Sequence, residues 1–153
     1  MAFALRPCSG EPELFDPEVT GDFAAEMAEI AKQPQVEPWC GYIGWDNGVP
    51  LGFGLFKSAP DAHGEVEIGY LTFPPSQGKG IATAIASALV SLAWEAGASR
   101  VLAQTLPQPN ASTRVLEKNG FRRDGIGHDP EIGEVWRWLL DRPQGAGMGQ
   151  TAC

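Results

Sequence analysis

The segment Gln77-Gly78-Lys79-Gly80-Ile81-Ala82 lies between a proline-terminated strand and a long helix, and that placement gives it chemistry. Glycine lets the backbone come close to a ligand. The first turn of a helix presents N–H groups without internal acceptors and a positive dipole end. Together they suit an anion, in particular a pyrophosphate. A tight connection that binds nothing is the other reading of a lone glycine pair. A dinucleotide fingerprint, Gly-x-Gly-x-x-Gly, would need glycine where Thr83 stands and an acidic ribose partner downstream. A Walker-type loop would need two glycines five apart followed by lysine and Ser or Thr, which this chain lacks. Proton-transfer groups are few. Glu65 and Glu67 stand two apart before the turn, and like charge would perturb them if both are partly buried. His128 has the right kind of side chain for proton transfer, although a lone loop histidine is ordinarily just exposed.

Several elements must position these groups. Phe3 to Pro7 reads as a strand, and Asp16-Pro17 as a helix start followed by an apolar stripe of Phe23, Met27, Ile30 and Ala31 that ends at Pro34. Trp39 to Trp45 and Pro50 to Lys57 read as two strands joined by Asp46-Asn47-Gly48, an antiparallel hairpin. In the strand Glu65 to Phe73, alternation sets Val66, Ile68 and Tyr70 on one face and Glu65, Glu67, Leu71 and Phe73 on the other. Tyr70 is therefore expected to pack in the core. Ile81, Ile85, Leu89, Leu92 and Ala96 mark a helix from Lys79 to Ala96, stopped by Gly97. Ser99 to Leu106 is a strand, Asn110 to Asn119 a short helix ended by Gly120, and Phe121 to His128 and Glu134 to Leu140 are the last strands. Trp39, Tyr42 and Trp45 either line a pocket or fill the core, and Trp136 and Trp138 share a strand face.

The order is strand, helix, three strands, helix, strand, helix, two strands, which predicts an α/β (α+β mixed) domain, a sheet of six to seven strands with helices packed on it. One domain over residues 1–141 and a disordered tail over 142–153 are expected. Gln77, Gly80 and Ala82 also match the Gln/Arg-x-x-Gly-x-Gly/Ala signature of the GNAT N-acetyltransferase superfamily. The run Asn110-Ala111-Ser112-Thr113-Arg114-Val115-Leu116-Glu117-Lys118-Asn119-Gly120-Phe121 resembles the family's second signature, particularly in the ribosomal-protein N-terminal acetyltransferase branch. The motifs span roughly residues 65–121. The resemblance implies a central, largely antiparallel mixed sheet with helices on both faces, splayed between its fourth and fifth main strands to hold the cofactor. It implies acetyl transfer from acetyl-coenzyme A to a primary amine, either a small molecule or a protein N-terminus, by direct attack in a ternary complex.

By that resemblance the amides of Gln77, Gly78, Lys79, Gly80, Ile81, Ala82 and Thr83 bind the coenzyme A pyrophosphate, with Lys79 adding charge or simply remaining solvated. Backbone groups of Leu71 and Phe73 run along the pantetheine. Asn110 touches the same arm, caps its helix, or does both. A lysine-like amine is neutral on the order of one part in a thousand at pH 7, a deficit of roughly 4 kcal/mol, so a base or water relay is useful. Glu67 occupies the strand position where many relatives place a carboxylate and is the candidate base, against the reading of an exposed strand-face glutamate. The leaving thiolate needs a proton or hydrogen bond. Many relatives use a tyrosine, but Leu116 stands at that position here. Ser112 is the substitute, with support of the helix start as its other role. The departure at Leu116 leaves a second reading, a coenzyme A-binding sensor or interaction module without turnover.

Composition narrows the classes. The chain has 153 residues, 43% of them hydrophobic, and a net charge of −8 with no basic run, which disfavours a nucleic-acid partner and eases attraction of a cationic amine. No stretch reads as a membrane span or a secretory leader, so the cytoplasm is the expected compartment. Cys8, Cys40 and Cys153 fit neither a disulfide framework nor a metal cluster, and no metal is expected. Pairing of exposed final strands into a homodimer would be unsurprising.

Overall fold

The computed structural model describes residues 3–8, 18, 21 and 36–143. Seven strands form one sheet: β1 (Phe3–Pro7), β2 (Gly41–Asp46), β3 (Val49–Phe56), β4 (Glu65–Thr72), β5 (Arg100–Thr105), β6 (Arg122–Asp129) and β7 (Gly133–Asp141). Helix α1 (Ile81–Glu95) joins β4 to β5, and α2 (Ala111–Lys118) joins β5 to β6. The spatial order is β1-β2-β3-β4-β5-β7-β6. Every neighbouring pair is antiparallel except β4 and β5. A parallel pair needs a long crossover, and α1 supplies it.

The β4–β5 pairing is short. It runs from Glu65↔Arg100 through Val66↔Val101 to Glu67↔Leu102, although β4 continues to Thr72 and β5 to Thr105. Beyond Glu67 the two strands part, while β4 stays bonded to β3 as far as Thr72. The sheet is therefore splayed at the junction the family resemblance implied.

Both described helices cover one face. Ile81, Ile85, Ala86, Leu89, Val90 and Ala93 of α1 and Val115 and Leu116 of α2 share a core with Tyr42, Val66, Ile68, Val101, Ala103 and Trp138. Their contact with the sheet is close because β3 carries glycine beneath α1. A Cβ built on Gly54 would lie 2.5 Å from Ile85 Cγ2 and 2.9 Å from Leu89 Cδ1. The opposite face buries Cys8, Ile43, Trp45, Phe53 and Phe73. The predicted helix that would cover it, with its stripe from Phe23 to Ala31, lies outside the described residues, as does most of the tail.

The element boundaries differ from the expected ones by small amounts with local causes. The helix predicted from Lys79 begins at Ile81, because Gly78 and Gly80 take φ of 82° and 76°, outside the helical region. Pro74–Ser76 adds a 3₁₀ turn that the sequence reading had only as a strand stop. Tyr42 and Trp45 belong to the two cores, and Trp39 packs edge-on to Phe56 at 5.0 Å. Cys8 and Cys40 are both buried.

Candidate active site

The parting of β4 from β5 opens a cavity of about 490 Å³ on the helix-covered face. Three elements build it. The open end of β4 contributes Tyr70, Leu71 and Thr72; the turn and first residues of α1 contribute Gln77, Gly78, Gly80, Ile81, Ala82 and Thr83; the start of α2 contributes Ala111, Ser112 and Val115. The two family-like motifs, some thirty residues apart in sequence, thus meet across one space.

Each wall has a local reason for its place. Gly80, left-handed at φ 76°, is the N-cap of α1 and provides no side-chain cap, so the first-turn amides keep their donors for something else. Space beside Gly78 and Gly80 is open: a Cβ on either would meet no atom within 4 Å. The glycines are there for backbone conformation and access. Gln77 Nε2 makes a long 3.5 Å contact to Thr72 O across the turn. Helix α2 begins with a reciprocal cap in which Asn110 Oδ1 accepts from Thr113 N–H at 3.0 Å and Thr113 Oγ1 accepts from Asn110 N–H at 2.9 Å. At its other end Asn119 Nδ2 donates to Thr83 O (3.3 Å) and Val115 O (3.0 Å), tying α2 to the first turn of α1.

The polar centre of the cavity is Tyr70 with Ser112. The two hydroxyl oxygens are 2.9 Å apart, and the Tyr70 hydroxyl lies 3.1 Å from Ser112 O, to which it donates. Burial pushes the Tyr70 phenol above its ordinary value, opposed by the bond to Ser112. The phenol therefore stays protonated at neutral pH and is available as a donor.

Of the residues singled out from sequence, Leu71, Gln77, Gly78, Gly80, Ile81, Ala82, Thr83 and Ser112 line this space. Four do not. Phe73 is fully buried on the opposite face; its N–H donates to Leu51 O and its carbonyl accepts from Ser76 N–H, so its backbone is committed to the fold. Lys79 is exposed between the two glycines and does not line the cavity. Asn110 is spent on the helix cap. Glu67 points to the other face, where its Oε2 lies 2.7 Å from Lys57 Nζ in an ion pair whose angle misses hydrogen-bond geometry. It is nevertheless the last β4 residue in register with β5, at the vertex of the splay. The anticipated Glu65 and Glu67 carboxylate pair is not an isolated one, since Glu65 is held by Arg100 at 2.9 Å. His128 is exposed on β6.

Leu116 is fully buried and lines nothing, so its position offers no access to the cavity. Tyr70 packs against the core, as read from sequence, and in addition lines the cavity, a place the sequence had not assigned to it. The available signal was its parity: it shares a face with Val66 and Ile68, hence with the helices, and lies beyond the last paired residue of β4.

Among the described residues no group of His, Cys, Asp and Glu could hold a metal ion, and no helix is long and apolar enough to cross a membrane.

A family model described as "Acetyltransferase (GNAT) domain" matches residues 9–122. No curated protein sequence matches the chain. Among solved structures, the aminoglycoside acetyltransferase AAC(6')-Ib in complex with coenzyme A is 22% identical with a TM-score of 0.73, covering 98% of this chain and 99% of its own. The putative acetyltransferase yncA from Salmonella typhimurium, with acetyl-coenzyme A, is 21% identical at a TM-score of 0.68, covering 94% and 96%. RimL, a ribosomal alpha-N-protein acetyltransferase in complex with coenzyme A, is 20% identical at a TM-score of 0.60, covering 66% of this chain and 60% of its own. At these identities the likeness is one of fold.

Proposed function

The chain belongs to the GNAT acetyltransferase family, and on that premise we propose that its cavity takes acetyl-coenzyme A and that the acetyl group passes to a primary amine. The cavity's own residues fit such a cosubstrate. The first-turn amides of α1 and the open space at Gly78 and Gly80 suit a pyrophosphate, and Leu71, Ala111 and Val115 offer apolar contact to a thin pantetheine arm. The bound cosubstrate supplies an activated thioester whose C–S bond breaks as the C–N bond to the amine forms.

The chain's side chains supply the proton handling. Either hydroxyl can donate in the Tyr70–Ser112 contact; when the protonated phenol turns its hydrogen from Ser112 O to Ser112 Oγ, the Ser112 hydroxyl is released to donate toward the departing sulfur. Glu67, at the vertex of the splay on the opposite face, accepts the proton that the amine must shed, which sets amine and cosubstrate on opposite sides of the opening. The net charge of −8 favours approach of a cationic acceptor. Relatives of the same fold carry names that include aminoglycoside and ribosomal-protein acetyltransferases, and both small amines and protein N-termini are acceptors to test here.

The observation that carries this reading is the meeting of the glycine turn and Ser112 across the gap between β4 and β5. Calorimetric titration with acetyl-coenzyme A tests it. Wild type is expected to bind one equivalent and the variant Gly80→Trp none, followed by turnover with a panel of amines. Failure of the folded wild type to bind rejects the assignment, and binding without turnover of any amine favours a coenzyme A sensor instead.

A further inference from the structure

Helix α2 has two working sides. Ala111, Ser112 and Val115 face the first cavity, while Thr113, Arg114 and Glu117 face a second, of about 420 Å³, closed by β6 and β7. Its composition departs from the rest of the molecule. The chain has 19 acidic and 11 basic side chains, yet Arg114, Arg122 and Arg123 meet here against the single carboxylate of Glu117. Trp136 and Trp138 form the floor.

We propose that this second cavity binds a small aromatic anion, a planar ring bearing a phosphate or carboxylate. The Arg123 guanidinium lies 4.0 Å over the Trp136 ring, which fixes its plane and leaves its in-plane N–H donors for an anion. Arg114 and Arg123 have no ion-pair partner among the described residues, and Arg122 gives only Nη2 to Asp141, at 3.2 Å. A planar, forked donor suits phosphate and carboxylate groups, and Phe121, Trp136 and Trp138 give the cavity an aromatic lining for a ring. The volume lies in the range of small-molecule sites, roughly 300–1,000 Å³. Its lining shares no residue with the cavity in which Ser112 stands.

Phenyl phosphate, benzoate and inorganic phosphate, each titrated into the full chain and followed by tryptophan fluorescence and calorimetry, test it. The expected result is saturable one-to-one binding of phenyl phosphate or benzoate, the tighter of the two identifying the anion, with inorganic phosphate at least tenfold weaker. Arg123→Ala and Arg114→Gln are each expected to weaken binding tenfold or more at an unchanged thermal midpoint, Arg123→Lys to rescue only part of it, and Gly80→Trp to leave it intact. Absence of saturation by both aromatic probes, equal binding of inorganic phosphate, indifference to the arginine substitutions, or loss in Gly80→Trp would each overturn the proposal.

Discussion

The Tyr70 hydroxyl on β4 and the Ser112 hydroxyl on α2, 42 residues apart in sequence, stand 2.9 Å from one another in the wall of the cavity that opens between β4 and β5. This contact joins the strand that leaves the sheet to the helix that begins across the gap, so it bears on both structure and reaction. Tyr70→Phe keeps the ring and deletes the donor. Loss of one partly buried hydrogen bond is expected to cost about 1 kcal/mol of stability. If the pair protonates the leaving sulfur, kcat drops about 100-fold with little change in the KM for acetyl-coenzyme A. Ser112→Ala should give the same pattern, and the double variant should be little worse than either alone, because the two act in series. Steady-state kinetics on the four proteins decide this; additive losses would show that the hydroxyls act separately.

Two glycines make opposite demands on substitution. At Gly54 the obstacle is packing, with Ile85 Cγ2 2.5 Å from the position of a new Cβ. Gly54→Ala pushes α1 off the sheet and is expected to cost about 1–3 kcal/mol. At Gly80 there is open space, and the obstacle is the left-handed backbone at φ 76°. Gly80→Ala is expected to cost about 1 kcal/mol and to weaken acetyl-coenzyme A binding only several-fold, whereas Gly80→Trp abolishes it. Denaturant melts and calorimetry on the three variants separate packing from conformation from access.

The glycine turn and the apolar stripe of α1 were legible in the sequence because both are local: positive-φ glycines and helical periodicity are written in consecutive residues. Ser112 was legible only through the family resemblance. Phe73 misses the cavity, and Tyr70 reaches it while still packing against the core as expected, for one reason. Alternation along β4 gave their faces correctly, but which face carries the cavity depends on where β5 stops pairing, and that is set by tertiary contact at Glu67↔Leu102. The second cavity was invisible because Arg114, Arg123 and Trp136 come together only through the β6–β7 register and the seating of α2.

The closed end of the sheet predicts an acid-sensitive clamp. Hydrogen bonds from Arg100 and Arg122 hold the Asp141 carboxyl below the usual carboxylate range, and Arg100 also grips Glu65 of β4. A carboxyl depressed in the folded state adds stability that is complete above its unfolded value, near 3.9, and is lost as pH falls through the lower folded value. Asp141→Asn is therefore expected to melt below wild type at pH 5–8, and the gap to narrow progressively as pH falls below about 3.9. Tyr70 and Tyr42, both raised by burial, add the opposite limb, a loss of stability as pH rises beyond about 10. Thermal melts across pH test both limbs; a gap that does not narrow in acid would remove the clamp.

Glu67 tests which side of the splay the amine occupies. The carboxylate lies on the face away from Ser112, in an ion pair with Lys57 at 2.7 Å, so removing it disturbs no group that lines the cosubstrate cavity. Glu67→Gln is expected to leave acetyl-coenzyme A affinity unchanged and to lower kcat/KM for an amine about 100-fold at pH 7. The deficit should shrink as pH approaches the amine's own pKa, near 10.4 for a lysine-like acceptor, where the neutral form no longer needs a base. Lys57→Met removes the same ion pair but keeps the carboxylate, and activity is expected to stay within a few-fold of wild type. A pH–rate profile of the three proteins therefore distinguishes a base from a structural ion pair. Equal losses in Glu67→Gln and Lys57→Met would assign the pair to the fold and leave proton removal to a water relay.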